Sequence, residues 1–181
     1  MTLSEILMQS GIEGRLLHPG CGGEVLPFWL SGCQEVRLDI DPRVNPDIVA
    51  SITDMGEIGT FDFVYTAHTL EHLYQHEVPI ALAEFKRVLN PGGAVMIFVP
   101  DLEGVEPNYD VLYESPGGPI CGIDLFYGPA RYVEQNMYYA HHTGFIQRTL
   151  EKVLTEAGFE SVTVKRVGDH NLMGVGKKCM S

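Results

Sequence analysis

Short apolar runs recur along the chain, separated by segments with helical spacing. Arg15 to His18, Glu35 to Ile40, Asp47 to Ala50, Phe61 to Thr66 and Ala94 to Val99 are rich in Leu, Ile, Val and Phe and are bounded by Gly, Pro or Asp. Near-continuous apolar runs of this length predict strands of a parallel sheet covered on both faces. Between Pro79 and Leu89, the residues Ile80, Ala83, Val88 and Leu89, with Leu82 and Phe85 beside them, fall near a helical period, and Asn90-Pro91-Gly92-Gly93 stops that helix. Thr149 to Ala157 has the same spacing and ends at Gly158. Leu3 to Met8 reads as a short helix capped by Thr2 or Ser4, and Val25 to Leu30 as a short or distorted one, because Pro27 cannot sit inside a regular helix. Ser161 to Val167 and Asn171 to Gly176 alternate like two antiparallel strands joined at Gly168-Asp169. Pro100 to His142 gathers tyrosines, prolines and glycines without clean periodicity except around Ala130 to Tyr139, and is expected to be an insertion roofing a site. The order of elements predicts one doubly wound α/β domain over residues 1–181, with an antiparallel strand added at one side.

The first chemical signal is a pairing. A glycine-dense turn, Gly20-Cys21-Gly22-Gly23, follows the first strand, and the second strand ends in the carboxylates Asp39 and Asp41. At the carboxyl end of parallel strands, glycines let the backbone approach a ligand closely and an acid at the next strand tip can hold two ribose hydroxyls, which predicts a nucleoside cofactor. The formal net charge of -12 repels polyphosphate, and basic residues cluster no further than adjacent pairs such as Lys177 with Lys178, so duplex nucleic acid is not an expected partner. No apolar stretch reaches the roughly 18 to 20 residues of a membrane helix, and Met1 to Ser10 carries Ser4 and Glu5 in place of a basic, then apolar, leader. A cytoplasmic protein with no membrane partner is the expectation. Cys21, Cys33, Cys121 and Cys179 lack Cys-x-x-Cys spacing and read as reduced thiols.

Four stretches in this order resemble the class I S-adenosylmethionine-dependent methyltransferases, in particular the small type-11-like group. They are Leu16-Leu17-His18-Pro19-Gly20-Cys21-Gly22-Gly23, Val36 to Asp41, Phe61 to Tyr65 through Leu70-Glu71-His72-Leu73, and Phe85 to Gly93. Gly144-Phe145 through Leu150 to Ala157-Gly158-Phe159 is a weaker fifth match. The resemblance implies a Rossmann-like seven-stranded sheet ordered 3-2-1-4-5-7-6, strand seven antiparallel, and S-adenosyl-L-methionine across the strand ends. Two departures stand out: Glu24 occupies the position of the usual third glycine, with an extra anion expected at a helix start, and Asp41-Pro42 offers a second ribose acid two residues past Asp39. Asp39 is the favoured one, since Asp before Pro is a common turn starter.

By position, the resemblance implies that the backbone of Gly20, Cys21 and Gly22 passes under the methionine part. Asp39 then accepts from the ribose hydroxyls, with Ile40 also on the cofactor, Asp54 meets the adenine amine and Met55 the ring, while Ala67 and His68 lie near the sulfonium. The implied activity is methyl transfer to a small or sugar-like acceptor, with oxygen the candidate nucleophile. The alternative is a cofactor-binding or partner-binding member of the fold with little activity. An acceptor hydroxyl or amine must lose a proton, and His68 is the first candidate for general base, with His142 a weaker one. Asp101, Tyr138, Tyr139 and His141 are the expected acceptor-side residues, and Arg131 and Arg148 are the cations available to an anionic acceptor. His68, Glu71 and His72 would share one face of a helix and form a weak metal candidate. The run is similar to the Glu-x-x-Glu-His metal motif of some ubiquinone-pathway and small-RNA O-methyltransferases, with His68 in place of the first glutamate. Leu-Glu-His is also widespread in metal-free members, so no metal is the expectation.

Overall fold

The computed structural model describes residues 13–168 and 170–180. The helix expected over Leu3 to Met8 lies outside them. The strands are β1 (Gly14–Pro19), β2 (Cys33–Asp39), β3 (Ile48–Val49), β4 (Phe61–Ala67), β5 (Leu89–Pro100), β6 (Val111–Ser115), β7 (Gly118–Cys121), β8 (Glu160–Val167) and β9 (Asn171–Lys177). The helices are α1 (Val78–Val88), α2 (Gly122–Tyr127), α3 (Ala130–Val133) and α4 (Gln147–Glu156). Seven strands form one sheet in the order β3-β2-β1-β4-β5-β9-β8, while β6 and β7 pair separately. Pairing is parallel from β3 to β5, and β9 runs antiparallel to both β5 and β8. This is the implied 3-2-1-4-5-7-6 order, with the hairpin β6-β7 contributed by the segment inserted after β5.

The apolar runs follow from burial on both faces. Leu17, Val64 and Val95 pack with Leu82 and Phe85 of α1 and with Leu150 and Leu154 of α4. Their chain neighbours Leu16, Tyr65 and Met96 point the opposite way and join Leu30, Met173 and Val175, as the two-residue period of a strand requires. Between β1 and β2 the only helical turn is a 3-10 turn, Phe28–Leu30, opening directly after Pro27. A longer helix would need an amide hydrogen that Pro27 lacks. The stop after α1 differs from expectation, since β5 already begins at Leu89 and runs through Asn90-Pro91-Gly92-Gly93. A register shift opposite Phe61 and Phe63 absorbs the extra residues, and the N–H groups of Gly92 and Lys178 donate to the carbonyls of Lys178 and Gly93, tying this bulge to the C-terminal segment.

His18 sits on β1, only 1% exposed, donating from Nδ1 to Glu35 of β2 at 2.7 Å and edge-on to the Tyr65 ring. Burial pushes its pKa below the ordinary value and outweighs the upward pull of Glu35. A histidine whose folded pKa is depressed stabilises the fold fully above its unfolded value, and that contribution is lost as pH falls from there. The urea midpoint of the wild-type chain is therefore expected to drop more steeply than that of His18→Gln between about pH 7.5 and 5.5. Equal slopes would show that His18 carries none of the pH dependence.

Candidate active site

The carboxyl ends of β1, β2 and β4 open into a cavity of about 180 Å3 whose wall includes Gly20, Gly22, Asp39, Ile40, Asp41, His68 and Thr69. Its floor is the turn after β1. Gly20 has φ +67° and lies so close to the chain after β4 that a Cβ would stand 2.3 Å from Thr69 Cγ2, so only glycine fits there. Gly22 has φ +48°, and a Cβ there would meet nothing within 4 Å. It would project into the space a ligand would occupy.

Two side chains of β2 fix this turn. Asp39, 9% exposed, accepts from Gly22 N through Oδ2 at 2.8 Å and from Asp41 N through Oδ1 at 2.9 Å. Arg37 donates to the carbonyls of Glu24 at 2.7 Å and Gly22 at 2.6 Å. Glu24 crowds nothing: its own N–H closes onto the Cys21 carbonyl, its side chain is exposed, and residues 23–27 carry no regular element. The anion expected at a helix start therefore has no helix beside it. Cys21 is fully buried, and burial raises its thiol pKa.

Asp41 is saturated. It caps the 3-10 turn Pro42–Val44 through Arg43 N, forms a bidentate ion pair with the Arg43 guanidinium, and accepts from Asn136 Nδ2 at 2.9 Å. The guanidinium holds its carboxyl down at about 2. Asn136 begins the part of the insertion that reaches the cavity, and Tyr138 and Tyr139 line it behind Asn136. Of the segment Pro100 to His142, these three residues line the cavity.

The stretch after β4 departs from the expected helix. His68 has φ +52°, a left-handed backbone uncommon outside glycine, and only Leu70–His72 makes a single 3-10 turn. His68, Glu71 and His72 therefore do not share a helical face. His68 N donates to the Phe98 carbonyl at 2.9 Å, and Nδ1 faces Glu71 Oε1 at 3.2 Å. Burial draws the His68 pKa down, but the hydrogen bond and charge of Glu71 outweigh it and the net shift is upward. Glu71 is 1% exposed; burial opposes its charge, yet the imidazoles around it hold its pKa below the usual range. His72 lines the cavity and donates from Nδ1 to the Ala140 carbonyl, while His141 donates from Nδ1 to the Leu125 carbonyl.

Several expected site residues stand elsewhere. Asp54 is exposed and bridges back to Ser51, and Met55 is packed in the core with its N–H on Glu84; Ser51 and Ile52 take their place on the cavity wall, because β3 is only two residues long and the chain turns back earlier. Ala67 lies beneath the wall, packed against the second core cluster. Asp101 is outside the cavity, held by Arg166 Nε at 2.6 Å and Glu103 N, in a separate cleft beside β8. His142 stacks on Tyr74 with ring centroids 4.3 Å apart and does not line the cavity. Arg131 donates to the Gly117 carbonyl within the insertion, and Arg148 is exposed on α4. Arg37 and Asn136 escaped the sequence reading, although a lone cation inside the apolar run Val36 to Ile40 was a usable signal for the first.

A methyltransferase-domain family model matches residues 17–97. A search of curated protein sequences finds no match. Among solved structures, the chain is similar to Burkholderia thailandensis 1,6-didemethyltoxoflavin-N1-methyltransferase with bound 1,6-didemethyltoxoflavin and S-adenosylhomocysteine: 17% identity, TM-score 0.61, covering 93% of this chain and 72% of that one. It is also similar to the N-methyltransferase NodS of Bradyrhizobium japonicum in complex with S-adenosylhomocysteine, at 15% identity and TM-score 0.59 over 95% of this chain and 82% of that one. An O-methyltransferase family protein from B. thailandensis matches at 14% identity and TM-score 0.59 over 97% of this chain and 55% of that one. At these identities the likeness carries the fold alone. With the strand order, the glycine turn and the acid-tipped second strand in place, the chain has the fold of these methyltransferases, and its residues 17–97 match the methyltransferase-domain family.

Proposed function

We propose that the cavity binds S-adenosyl-L-methionine and that the chain transfers its methyl group to a small or sugar-like acceptor, at oxygen. The observation that carries this reading is the convergence of the glycine turn, Asp39 and His68 on one cavity at the strand ends. The residues present fit the donor. Gly22 leaves room where a side chain would stand, and each oxygen of Asp39 keeps a lone pair for a ribose hydroxyl beyond its backbone bond. Ile40, Val44, Ser51 and Ile52 form the wall on the β3 side and are assigned to the adenine.

When bound, the donor supplies an electrophilic methyl on a sulfonium, already equipped with its leaving group. The chain has then to align the acceptor, exclude water and remove one proton. His68 is assigned the last task. Its Nδ1 is committed to Glu71, which leaves Nε2 to accept the acceptor's proton, and the buried carboxylate stabilises the imidazolium that forms. Tyr138 and Tyr139 roof the acceptor side and can stack on a ring or hydrogen-bond a hydroxyl. Neighbours of both N- and O-methyltransferase description share the fold; oxygen is preferred because a hydroxyl needs a base such as the His68–Glu71 pair during attack, whereas an amine attacks through its lone pair and can lose its proton afterwards.

The test is calorimetric titration with S-adenosylmethionine, S-adenosylhomocysteine and NAD, followed by turnover over a panel of hydroxyl and amine acceptors. Saturable binding of the first two and not of NAD, with methyl transfer favouring hydroxyls, is expected. Binding without turnover would instead indicate a member of the fold with little activity, and preferential NAD binding would overturn the assignment.

A further inference from the structure

The glycine turn after β1 is held by a side chain where a helix would have held it. In an α-helix the carbonyl of Gly22 would accept from Leu26 N, and that of Glu24 from Phe28 N, four residues on. Residues 23–27 form no regular element, and both carbonyls turn to Arg37 instead: Gly22 O accepts from Nη2 at 2.6 Å and Glu24 O from Nη1 at 2.7 Å. Val36 and Leu38 face the first core cluster, so Arg37 points to the opposite side of the sheet, beneath the turn. Its Nη1 also lies 3.6 Å from Glu35 Oε1, which accepts from His18 at 2.7 Å, and this pairing keeps the guanidinium from swinging into solvent.

Anchoring a carbonyl also aims an amide. A trans peptide is planar, with its C=O and N–H on opposite sides, and no peptide bond among the described residues is cis. With Gly22 O drawn down onto Arg37, the N–H of Gly23 is turned away from the guanidinium. The neighbouring amides are already used: Gly20 N and Cys21 N donate to the Leu38 carbonyl, Gly22 N to Asp39 and Glu24 N to the Cys21 carbonyl. Gly23 N has no acceptor among the described residues. A Cβ at Gly22 or at Gly23 would meet nothing within 4 Å, and Gly22 borders the cavity. The turn therefore offers one fixed, uncommitted donor beside open space.

We infer that Arg37 is a positioning residue for the methyl donor: by anchoring the carbonyls of Gly22 and Glu24 it aims Gly23 N–H at the donor's carboxylate. The inference rests on the methyl-transfer reading, in which this turn passes under the methionyl part. That part carries the donor's one carboxylate, and an amide with no acceptor of its own suits an anion. Arg37 also strengthens the amide it aims, because a carbonyl that accepts from a cation polarises its peptide and makes the N–H of that peptide a better donor. Arg37 and Asp39 lie two residues apart on one side of β2, so the same strand serves both ends of the donor, Asp39 the ribose and Arg37 the methionyl carboxylate.

The experiment compares, by calorimetry on the full chain, S-adenosylhomocysteine with its decarboxylated analogue, which keeps the adenosyl group and the amine. Arg37→Met retains an unbranched stem and removes the donors. It should weaken S-adenosylhomocysteine by roughly 10- to 100-fold, the scale of one hydrogen bond to a charged group, and the analogue by less than about threefold. Gly23→Pro deletes the N–H itself and should give the same selective loss. The double variant should lose no more than either single one, because both break one interaction. Circular dichroism confirms folding, and if Arg37→Met does not fold, the selective loss in Gly23→Pro decides. Equal losses for the two ligands would reduce Arg37 to a prop of the turn, additive losses in the double variant would reduce it to a remote charge, and wild-type affinity in either single variant would break the link between guanidinium and amide; each overturns the inference and leaves the methyl-donor reading in place. A wild-type chain that binds neither ligand would overturn that reading, and this inference with it.

Discussion

Asp39→Ala is expected to weaken S-adenosylhomocysteine binding by roughly 100- to 10,000-fold, read by calorimetry. Two hydrogen bonds from ribose hydroxyls to a carboxylate contribute about 1.5 to 3 kcal/mol each, and about 1.4 kcal/mol is tenfold in affinity. The carboxylate also shapes the floor on which the ligand lies, because its two oxygens hold Gly22 N and Asp41 N. Asp39→Asn separates the two effects: it keeps an acceptor oxygen for one backbone N–H but loses the charge, and a smaller loss is expected. Asp41 is the control. Its oxygens are taken by the main chain and guanidinium of Arg43 and by Asn136, so few lone pairs remain for a ligand. Asp41→Asn should loosen the insertion's hold on the cavity and lower affinity far less than Asp39→Ala. Wild-type affinity in Asp39→Ala would remove Asp39 from the ribose, and a collapse confined to Asp41→Asn would move the role there.

The contrast between these two carboxylates shows where the sequence is informative. Strands β1, β4 and β5 are legible because helices and packed side chains cover both faces, leaving runs such as Phe63-Val64-Tyr65 with no polar position to confuse the period. The glycine turn and the strand-end acid are legible because a close backbone approach restricts residue type. Which of Asp39 and Asp41 is free for a ligand is not legible, since it depends on Arg43 and on Asn136, which is far along the chain. The helix expected over His68 to His72 fails for a related reason. Thr69 is pressed against Gly20, and His68 N is tied to β5, so contacts from β1 and β5 override the local helical pattern. His141 approaches Glu71 only through the fold of the insertion, which has no period to read. The resemblance puts Asp54 at the adenine, and its place after the fifth strand puts Asp101 on the acceptor side, but Asp54 bridges back to Ser51 and Asp101 is held by Arg166, both off the cavity wall.

His68→Ala should lower methyl turnover by about 100- to 10,000-fold, the range for loss of a positioned general base, while S-adenosylhomocysteine affinity stays near that of the wild type. The backbone at His68 is itself an argument for function. A histidine at φ +52° is held in a strained conformation, and such strain persists where surrounding structure enforces it and a site benefits. Here the enforcement comes from the hydrogen bond of His68 N to Phe98 and from Glu71 Oε1, and the result is a ring on the cavity wall with its Nδ1 occupied. Alanine fits this φ poorly, so a loss of turnover in His68→Ala mixes chemistry with backbone relaxation. Asparagine accepts a left-handed conformation readily and has no basic nitrogen, so His68→Asn isolates the chemistry. Equal losses in the two variants, with donor affinity retained, would assign the proton to the imidazole. Turnover kept in His68→Asn but lost in His68→Ala would make the backbone geometry the contribution of this position, and the acceptor's proton would then have to leave by water.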